Sequence, residues 1–105
     1  SPDLKTLNKI YKNQPQKIKK TISLYLSQMP ELIGKLEKAF QENDMSVAKT
    51  TAHSLKTNFK YLDHTKLHER SLKIEETKEM TKEDLDFIKI TWEDYSNKLK
   101  SLLKS

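Results

Sequence analysis

The chain has 105 residues and a formal net charge of +5, from 20 basic and 15 acidic side chains. Its single glycine excludes the glycine-rich loops that bind nucleotide phosphates, and the lack of cysteine excludes disulfides, thiolate zinc sites and thiol nucleophiles. A chain of this length can bury one hydrophobic core, so we expect one domain over residues 1–105.

Apolar side chains recur at steps of three and four along most of the chain, which predicts amphipathic helices. The first predicted helix is short and follows Asp3 as its N-cap. The second continues through Pro30 with a kink, because its apolar stripe keeps its phase there. The longer predicted helices span about residues 15–42, about 45–62, about 66–79 and a final segment after residue 81.

Polar residues at the breaks indicate where the later helices begin. Asp44 is a good N-cap for the third helix, and Thr65 is a candidate for the fourth. Thr81 is the predicted cap of the last helix, with Asp84 at the capping-box spacing.

The short breaks predict that successive helices are antiparallel neighbours. We therefore expect an all-α fold, an antiparallel up-down four-helix bundle with a short N-terminal lid helix, and Trp92 and Tyr95 in its core. A chain without cysteine and without an apolar run of 18 residues suits the cytoplasm, where we expect it to act. Its start at Ser1-Pro2 leads us to expect a piece of a longer protein.

The third predicted helix carries a histidine on its polar side. Taking about 100° per residue, the apolar stripe is centred on Ala48 and His53 lies about 140° from it. Three lysines lie between these directions, at about 80–120°, namely Lys49, Lys56 and Lys60. An exposed neutral imidazole is a nucleophile, and nearby cations stabilise a transferred phosphoryl group. The pattern favours a histidine that carries a negatively charged group.

The segment Ala52-His53-Ser54-Leu55-Lys56 resembles the A-H-x-L-K signature of histidine-containing phosphotransfer (Hpt) domains of bacterial phosphorelays. The resemblance extends to residues 27–33, where such domains also have a proline within their second helix, and to the acidic turn at residues 42–45. It implies a four-helix bundle in which His53 accepts a phosphoryl group from a receiver-domain aspartate and passes it to another receiver. It also implies that Lys56 orients the phosphoryl group.

The same resemblance implies a phosphotransfer intermediate rather than an enzyme with its own nucleotide site. The expected partners are receiver domains of response regulators or of hybrid sensor kinases, which would supply Mg²⁺, so the domain would need no cofactor of its own. We expect a monomer that contacts neither nucleic acid nor membrane. Around His53, the expected partner-binding residues are Lys49, Thr57 and Lys60.

Two positions depart from the pattern of the family. Such domains usually have glycine directly after the lysine, where this chain has Thr57, about one turn from His53. They also tend to have glycine as a left-handed cap at the end of this helix, where Asp63 stands. Thr57 could alter the approach of a partner, and Asp63 should affect stability slightly.

Two other functions stay open at this point. One is an Hpt-like adaptor that binds receivers without carrying phosphate, which Thr57 favours. The other is a basic helical module that binds an acidic protein or nucleic acid through its lysines, although a nucleic-acid interface would more often show arginines and clustered aromatics.

Other candidate sites are weaker. His64 and His68 are four residues apart and could share a helix face, but no third ligand has convincing spacing, so we expect no metal site. The carboxylates around the last break alternate with lysines and are expected to form a solvated face. They are Glu75, Glu76, Glu79, Glu83, Asp84 and Asp86.

Overall fold

A computed structural model describes residues 2–104, which form five α-helices and no β-strand. The all-α prediction is confirmed, and the helix boundaries lie within two residues of those expected. The helices are α1 (Lys5–Ile10), α2 (Pro15–Gln41), α3 (Met45–Tyr61), α4 (Thr65–Thr77) and α5 (Lys82–Leu103). In the described part of the chain, no helix has an apolar stretch long enough to cross a bilayer.

Four of the helices surround one core. α2 packs against α3 and α5, and α4 packs against the same two helices, so the contacts form a closed ring. α2 continues through Pro30 for 27 residues, a length of about 40 Å, which matches the 42 Å long axis of the molecule. The predicted core seams are buried, including Trp92 and Tyr95 on α5 and Leu55 and Phe59 on α3.

The breaks on either side of α3 have the same construction. Asn43 and Asp63 each adopt a left-handed conformation, with φ of 54° and 55°. The next residue in each turn donates its backbone N–H to a carbonyl five residues earlier, Asp44 to Ala39 at 2.8 Å and His64 to Phe59 at 3.0 Å. Each turn is therefore a Schellman motif that ends one helix immediately before the next begins.

The predicted N-cap residue is right for α3 and wrong for α4. Asp44 accepts a hydrogen bond from the backbone N–H of Val47 at 3.1 Å, which confirms it as the cap of α3. The prediction of Thr65 for α4 is wrong, since Thr65 is the first helical residue and His64 is the cap. The Nδ1 atom of His64 accepts from the N–H of Leu67 at 3.2 Å. The Schellman turn decides this, because it leaves only His64 between Asp63 and the helix.

The prediction of Asp3 as the cap of α1 is also wrong. Leu4 is at the N-cap position, and Asp3 forms an exposed ion pair with Lys5 at 3.7 Å. The carboxylate that accepts from the start of α1 belongs to Asp63, which receives the backbone N–H and the hydroxyl of Thr6, both at 2.8 Å. A side chain from the α3–α4 turn thus fixes α1 to the bundle, 57 residues away in sequence.

The predicted capping box of α5 is confirmed, but the expectation that Asp84 lies on a solvated face is wrong. Thr81 and Asp84 exchange hydrogen bonds of 3.0 and 3.1 Å. The Asp84 side chain is only 4% exposed because it also meets Lys73 at 2.6 Å and Arg70 at 3.2 Å, both on α4. Burial alone would raise the pKa of Asp84, but the hydrogen bonds from Lys73 and Thr81 hold it below its usual range. Asp84 therefore joins α4 to α5 as an anion.

His64 gives the fold a pH dependence. Its ring packs edge-on against Tyr95, with the ring centroids 4.6 Å apart, and burial, followed by the charges of Lys98 and Lys66, lowers the pKa of His64. Protonation would also block the Nδ1 lone pair that caps α4. Because the unfolded state binds the proton more readily, the stability that neutral His64 contributes is complete above about pH 6.5 and is lost as pH falls towards its folded pKa.

We predict that His64→Asn removes this part of the acid sensitivity. Asparagine keeps a capping oxygen without a titrating ring, so stability at pH 7 should change by about 1 kcal/mol or less. Urea unfolding of both proteins between pH 7 and pH 5 measures the effect, and the free energy of unfolding should fall less steeply for the variant. Parallel curves for the two proteins would contradict this role of His64.

Candidate functional site

His53 lies near the middle of α3 with its side chain in solvent. Its exposed fraction is 60%, whereas Ala52 and Leu55 beside it are completely buried. The helical periodicity of the sequence predicted this orientation, and it is confirmed. A rigid helix backbone therefore presents an accessible imidazole on the surface of the bundle.

The nearest partner of His53 comes from the neighbouring helix. Glu75 on α4 places one carboxylate oxygen, Oε2, in contact with Nδ1 of His53, and its other oxygen, Oε1, lies 2.6 Å from Nζ of Lys56. Glu75 and Lys56 are mostly buried, with side-chain exposures of 15% and 22%. The expectation that Glu75 lies on a solvated face is wrong, because α4 packs along α3 and brings this carboxylate to the histidine.

This carboxylate determines which nitrogen of the imidazole is available. The pKa of Glu75 is lowered, chiefly by the hydrogen bond from Lys56. Burial raises this pKa, but the hydrogen bond from His53 lowers it further, so the net shift is downward. An ionised carboxylate can only accept hydrogen bonds, so Nδ1 of His53 carries the proton. In neutral imidazole the lone pair is then on Nε2, for which no partner is found among residues 2–104.

Space and charge are both available beside the imidazole. An open cavity of about 450 Å³ is lined by Lys49, Thr50, His53, Ser54 and Glu75. Lys49 is exposed and has no ion-pair partner within the described chain. Of the three lysines expected near His53, Lys56 is paired with Glu75, so its ammonium charge is neutralised.

Thr57 lies one turn after His53 and is half-buried. Its hydroxyl donates to the backbone carbonyl of His53 at 3.1 Å. The polar atom of this side chain is therefore turned back to the helix. Lys60, one turn further on, is exposed.

The two histidines considered as a metal pair have separate roles. His64 caps α4, while Nδ1 of His68 donates to the carbonyl of Lys56 at 3.1 Å. Across residues 2–104, no cluster of three or more histidines and carboxylates has the geometry to hold a metal ion.

Glu75 is the charged residue of this site that the sequence placed elsewhere, on a solvated face. A signal was nevertheless present, because Glu75 follows His68 and Leu72 at helical spacing along one edge of α4. Recognising it required knowing that this edge lies against α3. A periodic pattern in α4 alone does not contain that information.

The sequence was also compared with known protein families. The family model described as Hpt domain matches residues 20–103. This chain belongs to the Hpt domain family. The predicted resemblance is therefore confirmed, and it places this Hpt domain among the proteins of two-component phosphorelay signalling. No curated protein and no solved structure gave a match.

The matched span of the Hpt domain begins within α2. It includes His53, Lys56 and Glu75, whereas α1 lies before it. The helix that Asp63 holds to the bundle is thus outside the segment that the family model matches.

The pairing with Glu75 makes a prediction that spectroscopy can test. Long-range ¹⁵N–¹H spectra of the imidazole at alkaline pH should show His53 with its proton on Nδ1. Glu75→Ala should remove this preference, because no other acceptor within the described chain contacts Nδ1. The matched control is Glu76→Ala, which removes an exposed carboxylate one residue away. Identical imidazole spectra for the two variants would refute the assignment.

Proposed function

We propose that this Hpt domain is a phosphocarrier, in which His53 accepts a phosphoryl group from an aspartate of one receiver domain and passes it to another. The observation that supports this most directly is the state of the imidazole. Its Nδ1 is held by Glu75, and its Nε2 is free in solvent beside an open cavity. This is the arrangement a nitrogen nucleophile needs.

The transfer step uses the Nε2 lone pair. It attacks the phosphorus of the aspartyl phosphate, forming an N–P bond while the P–O bond breaks and the aspartate leaves as a carboxylate. The ring keeps its Nδ1 proton, so the phosphorylated imidazole is cationic, and the anionic Glu75 next to it stabilises that charge. The return step is the reverse, with a carboxylate of the second receiver as the attacking group.

Two lysines are placed to assist a phosphoryl group on His53. Lys56 lies three residues after it, close to one helical turn away, and its ammonium is paired with the carboxylate that also holds Nδ1 of His53. Lys49 lies one turn before His53 and lines the cavity beside the imidazole. An ammonium at about 4 Å contributes roughly 1–4 kcal/mol before screening, and exposure favours the lower value. We propose orientation of the phosphoryl group for Lys56 and contact with the partner for Lys49, Thr57 and Lys60.

The domain needs a partner to complete the chemistry. We propose that the receiver supplies Mg²⁺ and the acidic pocket around its aspartate. Hpt domains are carriers rather than enzymes with a nucleotide site of their own. The proposed partners are receiver domains of response regulators or hybrid sensor kinases.

The carrier function also suits the architecture that we propose for the bundle. The closed ring of contacts and the connections of three or four residues between α2 and α5 support an antiparallel up-down order. In that arrangement, α3 carries His53 and α4 supplies Glu75, and the solvent-facing side of the imidazole stays open to a partner.

The decisive experiment is phosphate transfer from a receiver. The domain is mixed with receiver domains phosphorylated on aspartate in the presence of Mg²⁺, and label is followed on the Hpt chain. Wild type should acquire phosphate that is labile in acid and stable in base, and His53→Gln should acquire none. Glu75→Ala should be slower by roughly 10–100-fold, the effect of losing a charge-assisted hydrogen bond of about 1.5–3 kcal/mol.

The outcomes separate the carrier from the alternatives. A protein that binds a receiver without ever becoming labelled is an adaptor. A protein that binds nucleic acid with strong salt dependence, regardless of His53→Gln, is a basic binding module.

A further inference from the structure

A second cavity lies one turn further along α3 than His53. Its volume is about 410 Å³, and residues of three helices line it. α1 contributes Thr6, α3 contributes Lys56, Thr57, Lys60 and Tyr61, and the polar residue from α4 is His68. No carboxylate is among the described residues that line it.

The cavity has donors without partners. Neither the ammonium of Lys60 nor the hydroxyl of Tyr61 makes a hydrogen bond or ion pair to another residue in the described range 2–104, and both side chains reach solvent. Two carboxylates bind residues of the lining and are already occupied: both oxygens of Asp63 accept from Thr6, and Glu75 is paired with Lys56 and His53. A carboxylate entering from outside would therefore meet free donors of positive or neutral charge.

The position of this cavity relates it to the proposed phosphotransfer. Lys56, Thr57 and Lys60 continue the side of α3 that carries His53, and His53 and Lys60 are separated by about 10 Å along the helix. A protein interface of ordinary size covers about 800 Å² on each partner, a patch of about 30 Å across. A receiver centred on His53 would thus also cover the mouth of the cavity.

One wall of the cavity comes from α1. Thr6 belongs to α1, which lies outside the segment matched by the family model. The two hydrogen bonds from Thr6 to Asp63 fix that wall. Asp63 makes them from a left-handed conformation, with φ of 55°.

We propose that this cavity is a docking pocket for an aspartate or glutamate side chain of the receiver. Lys60 and Tyr61 bind the carboxylate, and α1 forms a specificity-determining wall that Asp63 holds in place. This inference rests on the proposed function, since it takes a receiver as the partner. It adds the chemistry by which this chain selects among receivers that could all reach His53.

Charge reversal at Lys60 tests the pocket directly. Lys60→Glu should weaken binding of a partner receiver about tenfold, and the loss should shrink at high salt. The matched control is Lys100→Glu, the same charge change at an exposed lysine of α5 that does not line the cavity. The control should change the dissociation constant less than twofold. Among acid-to-lysine variants of the receiver, one should restore binding to Lys60→Glu.

The results distinguish this inference from the carrier function. Suppose that phosphate is transferred to His53 but Lys60→Glu and Lys100→Glu bind the receiver with equal affinity. The pocket is then refuted and the carrier function stands. If a receiver binds without transferring phosphate, the carrier function fails, while a selective effect of Lys60→Glu on binding still supports the pocket. If no receiver binds or transfers phosphate, both fail.

Asp63 provides a test of the α1 wall. Asp63→Gly removes the bonds to Thr6 and leaves a residue that is free to be left-handed, whereas Asp63→Asn keeps an oxygen acceptor. The glycine variant should show faster amide exchange at Thr6 and weaker receiver binding than the asparagine variant. Faster exchange with unchanged receiver affinity would show that α1 is no part of the docking pocket.

Discussion

The carboxylate of Glu75 joins the two helices on which the site depends. One of its oxygens contacts Nδ1 of His53 and the other forms an ion pair with Nζ of Lys56. A single anion therefore fixes the imidazole tautomer and neutralises the adjacent cation. Because Glu75 is mostly buried and hydrogen-bonded, it remains charged and in place. The free Nε2 of His53 is a consequence of this contact, and so is the direction of the Lys56 side chain.

The turn between α3 and α4 sets the alignment that makes this contact possible. Asp63 follows α3 in a left-handed conformation and His64 caps α4 directly after it, which leaves little freedom in how the helices are joined. The hydroxyl of Tyr95 on α5 donates to the carbonyl of Leu62 at 2.6 Å and fixes the turn from the core side. Burial raises the pKa of Tyr95 to about 12, so this donor stays protonated.

The charges around His53 are less uniform than the composition indicates. Lys56 is neutralised by Glu75, whereas Lys49 and Lys60 on either side of it have no partner within the described chain. The two free cations lie beside separate cavities, one at the imidazole and one next to α1. In the proposed function, a phosphoryl group and a partner carboxylate would therefore be attracted to different places on the same helix.

The sequence by itself determined the five helices, the burial of Leu55 and Phe59, the exposure of His53 and the caps at Asp44 and Thr81. These follow from periodicity and capping, which act over three or four residues and can be read along one segment. Membership of the Hpt family was likewise readable from the segment around His53.

Only the tertiary structure decided which residues from other segments complete these local features. Glu75 reaches His53 across 22 positions, and Asp63 instead of Asp3 meets the start of α1 across 57. Asp84 is buried because two cations of α4 surround it. In each case the local sequence alone predicts an exposed, solvated carboxylate. Its partners are known only once helix packing brings distant donors within hydrogen-bond distance.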